Sequence, residues 1–191
     1  MLNRRQVVAT LLRNRESLVV VSGLGSSTYD VAAAGDDDKN FYLWGAMGGA
    51  AMLGLGIAIA QPKVPVLVVT GDGEMLMGMG SFSTMALQNP PNLTIAVLDN
   101  GLFGETGGQA THTSGVTNLA KVARGCGVPE VHEIKTYADV AAFADKIHDP
   151  KKGLTVAIFK IGQDMPPRVM TSRSGPVLVD RTRRALGLPM S

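Results

Sequence analysis

The most informative segment of the chain is residues 64–74, with the sequence VPVLVVTGDGE. Residues 64–70 are almost all apolar or β-branched, which predicts a strand buried on both faces, because a strand with one solvated face would alternate with polar residues. The strand runs into Gly71-Asp72-Gly73, and a helical pattern begins at Glu74. A buried strand followed directly by a glycine-rich turn and a helix is typical of a parallel α/β sheet.

The same alternation of strand-like and helix-like segments continues along the chain. Further strands are predicted at 17–22, 40–44, 93–98 and 154–161, and helices at 47–60, 74–88, 117–124 and 136–148. We therefore predict an α/β fold, a three-layer, doubly wound, mostly parallel sheet with helices on both faces. We expect residues 1–164 to form this domain and residues 165–191, which hold five arginines and one aspartate, to form a basic C-terminal tail.

Length and composition exclude several classes of protein. A chain of 191 residues has room for one sizeable domain, and its net charge of +2 is too small to indicate a nucleic-acid-binding protein. The single Cys126 excludes an internal disulfide and a multi-cysteine zinc site, and it suits a reducing compartment. The most apolar run, 46–60, is shorter than the ~20 residues that cross a bilayer. We expect a cytoplasmic protein that binds neither nucleic acid nor membrane.

Three loops follow predicted strands, at residues 23–27, 71–74 and 99–109. In doubly wound sheets the ligand binds beyond the carboxyl ends of the strands, where exposed backbone amides favour anions. Residues 101–115 also lack hydrophobic periodicity, and a stretch of that length inside a compact domain is usually functional or mobile. We therefore look for the functional site in these loops.

Two of these loops carry the ligands that Mg²⁺ prefers. Asp72 ends one predicted strand, and Asn100 follows the next one. A magnesium ion is typically held by one or two carboxylates together with substrate phosphates and water, so Asp72, Asn100 and a loop carbonyl would suit a metal–phosphate site. The alternative is that Asp72 caps a helix and Asn100 lies in an ordinary turn.

The segment from Gly71-Asp72-Gly73 to Asp99-Asn100 resembles the thiamine diphosphate motif, in which GDG is followed at this spacing by NN. Asp99 replaces the first asparagine. The resemblance implies that Asp72 and Asn100 bind Mg²⁺ through their side chains and Leu102 through its carbonyl. It also implies that Gly73 and Glu74 contact the diphosphate of thiamine diphosphate.

Two other segments resemble the same family. Residues 43–48, LWGAMG, are similar to the element under the cofactor in 2-oxoacid decarboxylases, with Met47 wedged between the two rings and the backbone of Gly45 and Met47 bound to the aminopyrimidine. Gly25-Ser26-Ser27 is similar to a Gly-Thr-Ser loop that contacts the diphosphate. The alternatives are that Met47 fills the core and that Ser26 belongs to an ordinary capped turn.

The resemblance covers only the pyrophosphate-binding half of a thiamine enzyme. It implies a separate pyrimidine-binding (alpha) subunit that supplies the N1′ glutamate, since the chain has no room for that domain and its five glutamates lie outside any second half. Residues 106–109, TGGQ, resemble a run in phosphonopyruvate and sulfopyruvate decarboxylases, which implies non-oxidative decarboxylation of a small anionic 2-oxoacid to an aldehyde through a C2-ylide adduct. The alternatives are a carboligase or acyl-transferring lyase subunit, and a non-catalytic half-domain.

The last candidate residues lie in the long loop and in the tail. Glu105 and His112 follow Asn100 and are candidate catalytic acids or bases, although Glu105 lies one position earlier than the glutamate of family decarboxylases. Arg168 and Arg173 either recognise an anionic substrate or lie on a solvated or subunit-contact surface. The methionines of residues 74–88 are expected to fill the core.

Overall fold

The computed structural model describes residues 1–189, so the last two residues of the predicted tail lie outside the described part. In chain order the strands are β1 (Val19–Ser22), β2 (Asn40–Tyr42), β3 (Val66–Gly71), β4 (Leu93–Asp99), β5 (Leu102–Phe103), β6 (Gln109–Ala110), β7 (Glu130–Ile134) and β8 (Thr155–Lys160). Six of them form one parallel sheet in the order β2-β1-β3-β4-β8-β7, and β5 and β6 form a separate antiparallel pair.

Helices cover both faces of this sheet. They are α1 (Arg4–Leu11), α2 (Ser26–Ala33), α3 (Ala50–Ala60), α4 (Asp72–Met77), α5 (Ser81–Gln88), α6 (Leu119–Gly125), α7 (Tyr137–Ala144) and α8 (Gly175–Ala185). One apolar cluster joins the sheet to α1, α2, α7 and α8, and a second joins it to α3, α4, α5 and α6. This arrangement confirms the predicted three-layer α/β fold. Within residues 1–189, no helix has both the length and the apolar character needed to cross a membrane.

The central strands explain how the functional loops come together. Every residue of β4 is buried, as are Val66 to Thr70 of β3, because both strands lie in the middle of the sheet. Their register pairs Gly71 with Leu98. Asp72, the first residue after β3, is therefore a neighbour of Asp99, the last residue of β4, and of Asn100 after it.

The prediction of one helix over residues 74–88 was wrong. The structure has two helices, α4 and α5, separated by Gly78-Met79-Gly80. The reason is a close backbone contact, since a Cβ on Gly78 would lie only 2.3 Å from the carbonyl oxygen of Gly48. The methionines of this segment also differ in burial. Met75 and Met85 fill the core as expected, but Met77 and Met79 are exposed.

Four elements around the main sheet were not predicted as such, namely α1, α2, α8 and the edge strand β7. The long loop after β4 is also more ordered than its sequence indicated, because it contains the β5–β6 hairpin and two short 3-10 turns. Within the predicted tail, α8 packs on β2 and buries Leu178 in the first apolar cluster.

Candidate active site

A cavity of about 350 Å³ lies beyond the carboxyl ends of β1, β3 and β4. The chain leaves β1 toward β2 on one side, whereas β3 lies on the other side, so the cavity is at the switch point where doubly wound folds bind ligands. Most of the predicted site residues line it: Ser26, Met47, Asp72, Gly73, Glu74, Asn100, Leu102 and Glu105. Its apolar walls come mainly from Leu24, Met77, Leu98, Phe103 and Ile161.

Asp72 is the central polar residue of the cavity. It is 1% exposed, and its Oδ2 accepts hydrogen bonds from Thr111 Oγ1 at 2.5 Å and Thr113 Oγ1 at 2.9 Å. Burial raises the pKa of Asp72, and these two hydrogen bonds oppose the rise. The long loop after β4 therefore folds back so that its hydroxyls hold the carboxylate in one orientation.

Asp99 forms a second layer behind Asp72. Its Oδ1 lies 2.8 Å from Thr113 Oγ1, whose single proton is shared between Asp99 and Asp72, and its Oδ2 is paired with Lys160 at the end of β8. Thr113 thus connects the two aspartates, and Lys160 balances part of their charge. An asparagine at position 99 could not form this ion pair. The aspartate that replaces the first asparagine of the NN pattern is therefore matched by Lys160 on the neighbouring strand β8.

Asn100 and Leu102 lie in a tight turn at the edge of the cavity. The Oδ1 of Asn100 accepts a hydrogen bond from the backbone N–H of Leu102 at 2.9 Å, which is the local geometry of an Asx turn. The backbone carbonyl of Asn100 accepts a hydrogen bond from Gln163 Nε2 at 3.3 Å. The turn places Leu102 at the start of β5, on the same cavity wall as Asp72.

The potential metal ligands in the cavity suit a magnesium ion that is bound together with a diphosphate better than a metal ion coordinated by protein side chains alone. Among residues 1–189, no three His, Cys, Asp or Glu side chains are close enough to share a metal ion. Asp72 and Asn100 instead supply one carboxylate and one amide oxygen, both hard ligands, beside a cavity with room for phosphate oxygens. That composition is the one in which Mg²⁺ completes its coordination with substrate phosphate and water.

The side chain of Glu74 turns into the protein. Its Oε2 accepts a hydrogen bond from Thr70 Oγ1 at 2.7 Å, and a Cβ on Gly23 would lie 1.5 Å from the same oxygen. Burial raises the pKa of Glu74, and the bond from Thr70 opposes the rise, as do nearby backbone amides of the β1–α2 and β2–α3 loops. The carboxyl group is therefore packed between loops, and a contact with diphosphate would come from the backbone.

The β2–α3 loop brings Met47 to the cavity in an unusual backbone conformation. Gly45, Ala46 and Gly48 all have positive φ, at 91°, 50° and 93°. The positive φ of Ala46 is energetically unfavourable, because a residue with a Cβ rarely adopts this conformation. Met47 is 38% exposed, so it is not a core residue, whereas Gly45 does not line the cavity.

Glu105 and His112 are placed differently. Glu105 lines the cavity and packs against Gly25, where a Cβ would lie 2.5 Å from Glu105 Cγ; its carboxylate pairs with Arg168 Nη2 at 3.3 Å. His112 is exposed and does not line the cavity. The structure therefore brings one of the two candidate catalytic residues to the site.

The predicted tail runs past the cavity and is held by several contacts with aromatic residues. Arg168 lies over the ring of Tyr29 at 5.4 Å, and Arg173 over the ring of Trp44 at 5.0 Å. Trp44 Nε1 also donates a hydrogen bond to the carbonyl of Ser172 at 2.9 Å. Of these residues, Arg168 lies next to the cavity, because its ion-pair partner Glu105 lines it.

Sequence reasoning missed three contributors to the site. The two hydroxyls that bind Asp72 come from Thr111-His112-Thr113, where the alternation of threonines was an available signal. Arg4 also lines the cavity, from the first turn of α1. It had no sequence signal, because its ion-pair partner Asp30 is 26 residues away and meets it only through packing of α1 on α2.

Fold and site together define a thiamine enzyme. Residues 23–158 match the family "Thiamine pyrophosphate enzyme, C-terminal TPP binding domain", and the chain belongs to this family. This match confirms the family resemblance drawn from the GDG and DN motifs.

Within the family, the chain is similar to decarboxylases of acidic 2-oxoacids. It is 37% identical over 129 residues to sulfopyruvate decarboxylase subunit beta of Methanocaldococcus jannaschii, a match covering 67% of this chain and 68% of the relative. It is 45% identical over 122 residues to phosphonopyruvate decarboxylase of Streptomyces viridochromogenes, covering 64% of this chain but 30% of that protein. The 2-oxoglutarate:ferredoxin oxidoreductase of Magnetococcus marinus has the same fold, with a TM-score of 0.66, 19% identity and coverage of 94% of this chain and 74% of that one.

Proposed function

We propose that the chain is the pyrophosphate-binding subunit of a heteromeric, thiamine diphosphate- and Mg²⁺-dependent 2-oxoacid decarboxylase. Its substrate would be a small 2-oxoacid with a second acidic group, such as a sulfonate or phosphonate. The observation that carries the proposal is the convergence of Asp72, Asn100 and Ser26 on one cavity at the switch point of the sheet. The similarity to sulfopyruvate and phosphonopyruvate decarboxylases supports the choice of reaction and substrate class.

In this proposal the polar end of the cavity binds the cofactor's diphosphate. Asp72, Asn100 and the carbonyl of Leu102 hold Mg²⁺, and Gly73 and Ser26 face the diphosphate. Thr111 and Thr113 keep the Asp72 carboxylate oriented before the metal binds, so little reorganisation is needed. When bound, thiamine diphosphate supplies the electron sink that allows CO₂ to leave a 2-oxoacid.

The other residues shape the site and move a proton. Met47 would support the bent cofactor, and the apolar walls near Leu24 and Phe103 would exclude water from the reacting centre. Glu105 is the preferred proton donor or acceptor in this chain, because it lines the cavity and His112 does not. Arg168, paired with Glu105, is a candidate contact for the second acidic group of the substrate.

The partner in this proposal is a pyrimidine-binding subunit. Support comes from the methionines around the cavity, since Met47 and Met77 line it and are 38% and 61% exposed, and Met79 is exposed beside them in sequence. Flexible methionine side chains suit a surface that packs against another protein. The relatives named subunit beta are consistent with an alpha partner. We also propose a cytoplasmic complex, where Cys126 would stay reduced.

The proposal is tested by producing the chain together with a candidate pyrimidine-binding subunit. Calorimetry should then detect binding of thiamine diphosphate only when Mg²⁺ is present, and the complex should release CO₂ and an aldehyde from sulfopyruvate or phosphonopyruvate. Asp72→Ala should abolish both signals, whereas Asp139→Ala, at an exposed helix start, should leave them intact. A complex that binds no cofactor would refute the proposal, and a condensed product without aldehyde would replace decarboxylation by carboligation.

A further inference from the structure

Arg4 is a buried charged residue that the proposed function leaves without a role. It is 4% exposed, lies in the first turn of α1, and lines the same cavity as Asp72 and Asn100. A buried guanidinium group is costly unless its charge and its N–H donors are satisfied. Its partners therefore indicate what else this end of the cavity is built to hold.

The ion pairs around Arg4 leave an excess of positive charge. Arg4 Nε donates to Asp30 Oδ2 at 2.6 Å, and Arg5 Nε donates to Asp30 Oδ1 at 3.2 Å. Asp30 is 1% exposed, so two guanidinium groups share one buried carboxylate. Arg5 also donates to the backbone carbonyl of Pro167, whereas in residues 1–189 the two terminal nitrogens of Arg4 have no hydrogen-bond partner. Four of its five N–H donors are therefore without a partner in the described residues, and the residue itself lines the cavity.

The charges of the cavity wall show what kind of ligand this arrangement suits. Within the described residues, Arg4 is the single basic side chain lining the cavity, against the three acidic side chains of Asp72, Glu74 and Glu105. A diphosphate ester brings roughly two to three more negative charges. A magnesium ion bound to Asp72 would offset only part of that charge, so a cationic group from the protein would stabilise the bound diphosphate further. Arg4 is the residue in position to provide it.

Two neighbours make the same end of the cavity suitable for a phosphoryl group. Ser26 and Ser27, at the start of the eight-residue helix α2, line the cavity with Arg4, and α2 has no side-chain cap on its first backbone amides. A planar guanidinium with two free NH₂ groups binds two oxygens of a tetrahedral oxyanion at once. Asp30, which is itself buried on α2, fixes the orientation of that guanidinium.

We infer that Arg4 binds the terminal phosphoryl group of the diphosphate, and that Asp30 is the positioning residue that orients it. The inference rests on the proposed function, because it concerns the same cofactor. It adds to the site a residue from the N-terminal helix that lies outside the segment matching the family, residues 23–158.

The test is a set of binding measurements on the complex of this chain with its proposed partner subunit, with Mg²⁺ and three probes: thiamine diphosphate, thiamine monophosphate and inorganic pyrophosphate. Calorimetry can be supported by fluorescence of Trp44, the one tryptophan, which lies in the β2–α3 loop. Arg4→Gln should weaken thiamine diphosphate and pyrophosphate at least tenfold and thiamine monophosphate less than threefold. Arg5→Gln is the matched control, because it also removes one guanidinium from Asp30 but should keep wild-type affinities.

Each other result has a definite meaning. The inference would be overturned if Arg4→Gln and Arg5→Gln lost the same affinity for thiamine diphosphate. It would also be overturned if Arg4→Gln lost the same affinity for the diphosphate and the monophosphate. Either result would show that Arg4 has only a structural role in its ion pair with Asp30. A wild-type complex that binds none of the three probes would overturn the proposed function and the inference together. If Arg4→Gln does not fold, Arg4→Lys keeps the charge but not the two-pronged geometry, and an unchanged preference for diphosphate over monophosphate in that variant would overturn the inference alone.

Discussion

Gly78 and Gly48 are in direct backbone contact, and a Cβ on Gly78 would lie 2.3 Å from the carbonyl oxygen of Gly48. The contact joins the end of α4, which begins with the proposed metal ligand Asp72, to the loop that presents Met47. Because the contact is between backbone atoms, neither side can yield by rotating a side chain. The two loops that would face opposite ends of the cofactor are therefore held at one separation.

Gly78→Ala should force these loops apart. We expect a loss of about 1–3 kcal/mol in the free energy of unfolding, as for other overpacked sites, together with weaker binding of thiamine diphosphate. Urea denaturation and calorimetry measure the two effects. Gly80→Ala is the control, because an added Cβ there meets no atom within 4 Å. Equal changes in unfolding free energy and in cofactor affinity for the two variants would show that the contact between Gly78 and Gly48 contributes to neither.

The roles of Glu105 and His112 can be distinguished by kinetics on the complex with the proposed partner subunit. If Glu105 moves the proton, Glu105→Gln should lower kcat about 100-fold, the usual size of general acid–base catalysis, without changing the affinity for thiamine diphosphate. His112→Ala should keep kcat within about twofold, because this exposed side chain does not line the cavity. The reverse pattern would assign the proton transfer to His112.

Arg181 connects α8 to the body of the domain. Its two terminal nitrogens each lie 3.0 Å from a carboxylate oxygen of Asp36, one of them also donates to the carbonyl of Asn40 at 2.8 Å, and the group lies 5.3 Å from the Tyr42 ring centroid. Lysine cannot reproduce this geometry. Arg181→Lys should therefore reduce the free energy of unfolding by about 1 kcal/mol, a modest amount because Asp36 is half exposed and solvent screens the pair.

The matched control for this variant is Arg184→Lys, on the exposed side of the same helix. It should leave the urea denaturation midpoint unchanged. A shift of equal size in both variants would mean that helix propensity rather than the bidentate pair explains the result.

Lys152 should make stability depend on pH in the alkaline range. Its Nζ donates to the carbonyls of Leu93 and Gly153, and burial lowers its pKa from 10.5 to about 8. Between these two values the unfolded chain binds more protons than the folded chain, so the free energy of unfolding contributed by this residue rises with pH. Compared with Lys152→Met, the wild type should gain stability from pH 8 to pH 10.5.

The measurement is urea denaturation of both chains at several pH values in this interval. Lys151→Met, at the exposed neighbouring position, should follow the wild-type curve throughout. A constant difference between wild type and Lys152→Met would show that Lys152 does not titrate with folding.

The sequence predicted the parts of the site that local patterns determine. Asp72 and Asn100 each follow a buried strand, and since both strands are parallel neighbours their ends meet at one edge of the sheet. The turn at Asn100 and the start of α2 near Ser26 are likewise short-range features. The family motifs added the cofactor, which the spacing of residues alone could not name.

The parts that were missed depend on tertiary packing. The contact with Gly48 ends α4 at a point where the helical pattern of residues 74–88 continues. Arg4 reaches the cavity only because α1 packs against α2, and Thr113 reaches Asp72 across 41 positions of sequence. These contacts join residues that are far apart in the sequence, so no local sequence pattern predicts them.

The position of α8 also determines how copies of this protein can meet. By packing on β2 and donating from Arg181 to the carbonyl of Asn40, it occupies one edge of the parallel sheet. The opposite edge, β7, carries Glu130, His132 and Glu133, and charged edge strands oppose pairing with another chain. Both edges are thus protected against sheet extension and aggregation, so neither edge strand is an open template for pairing with another chain.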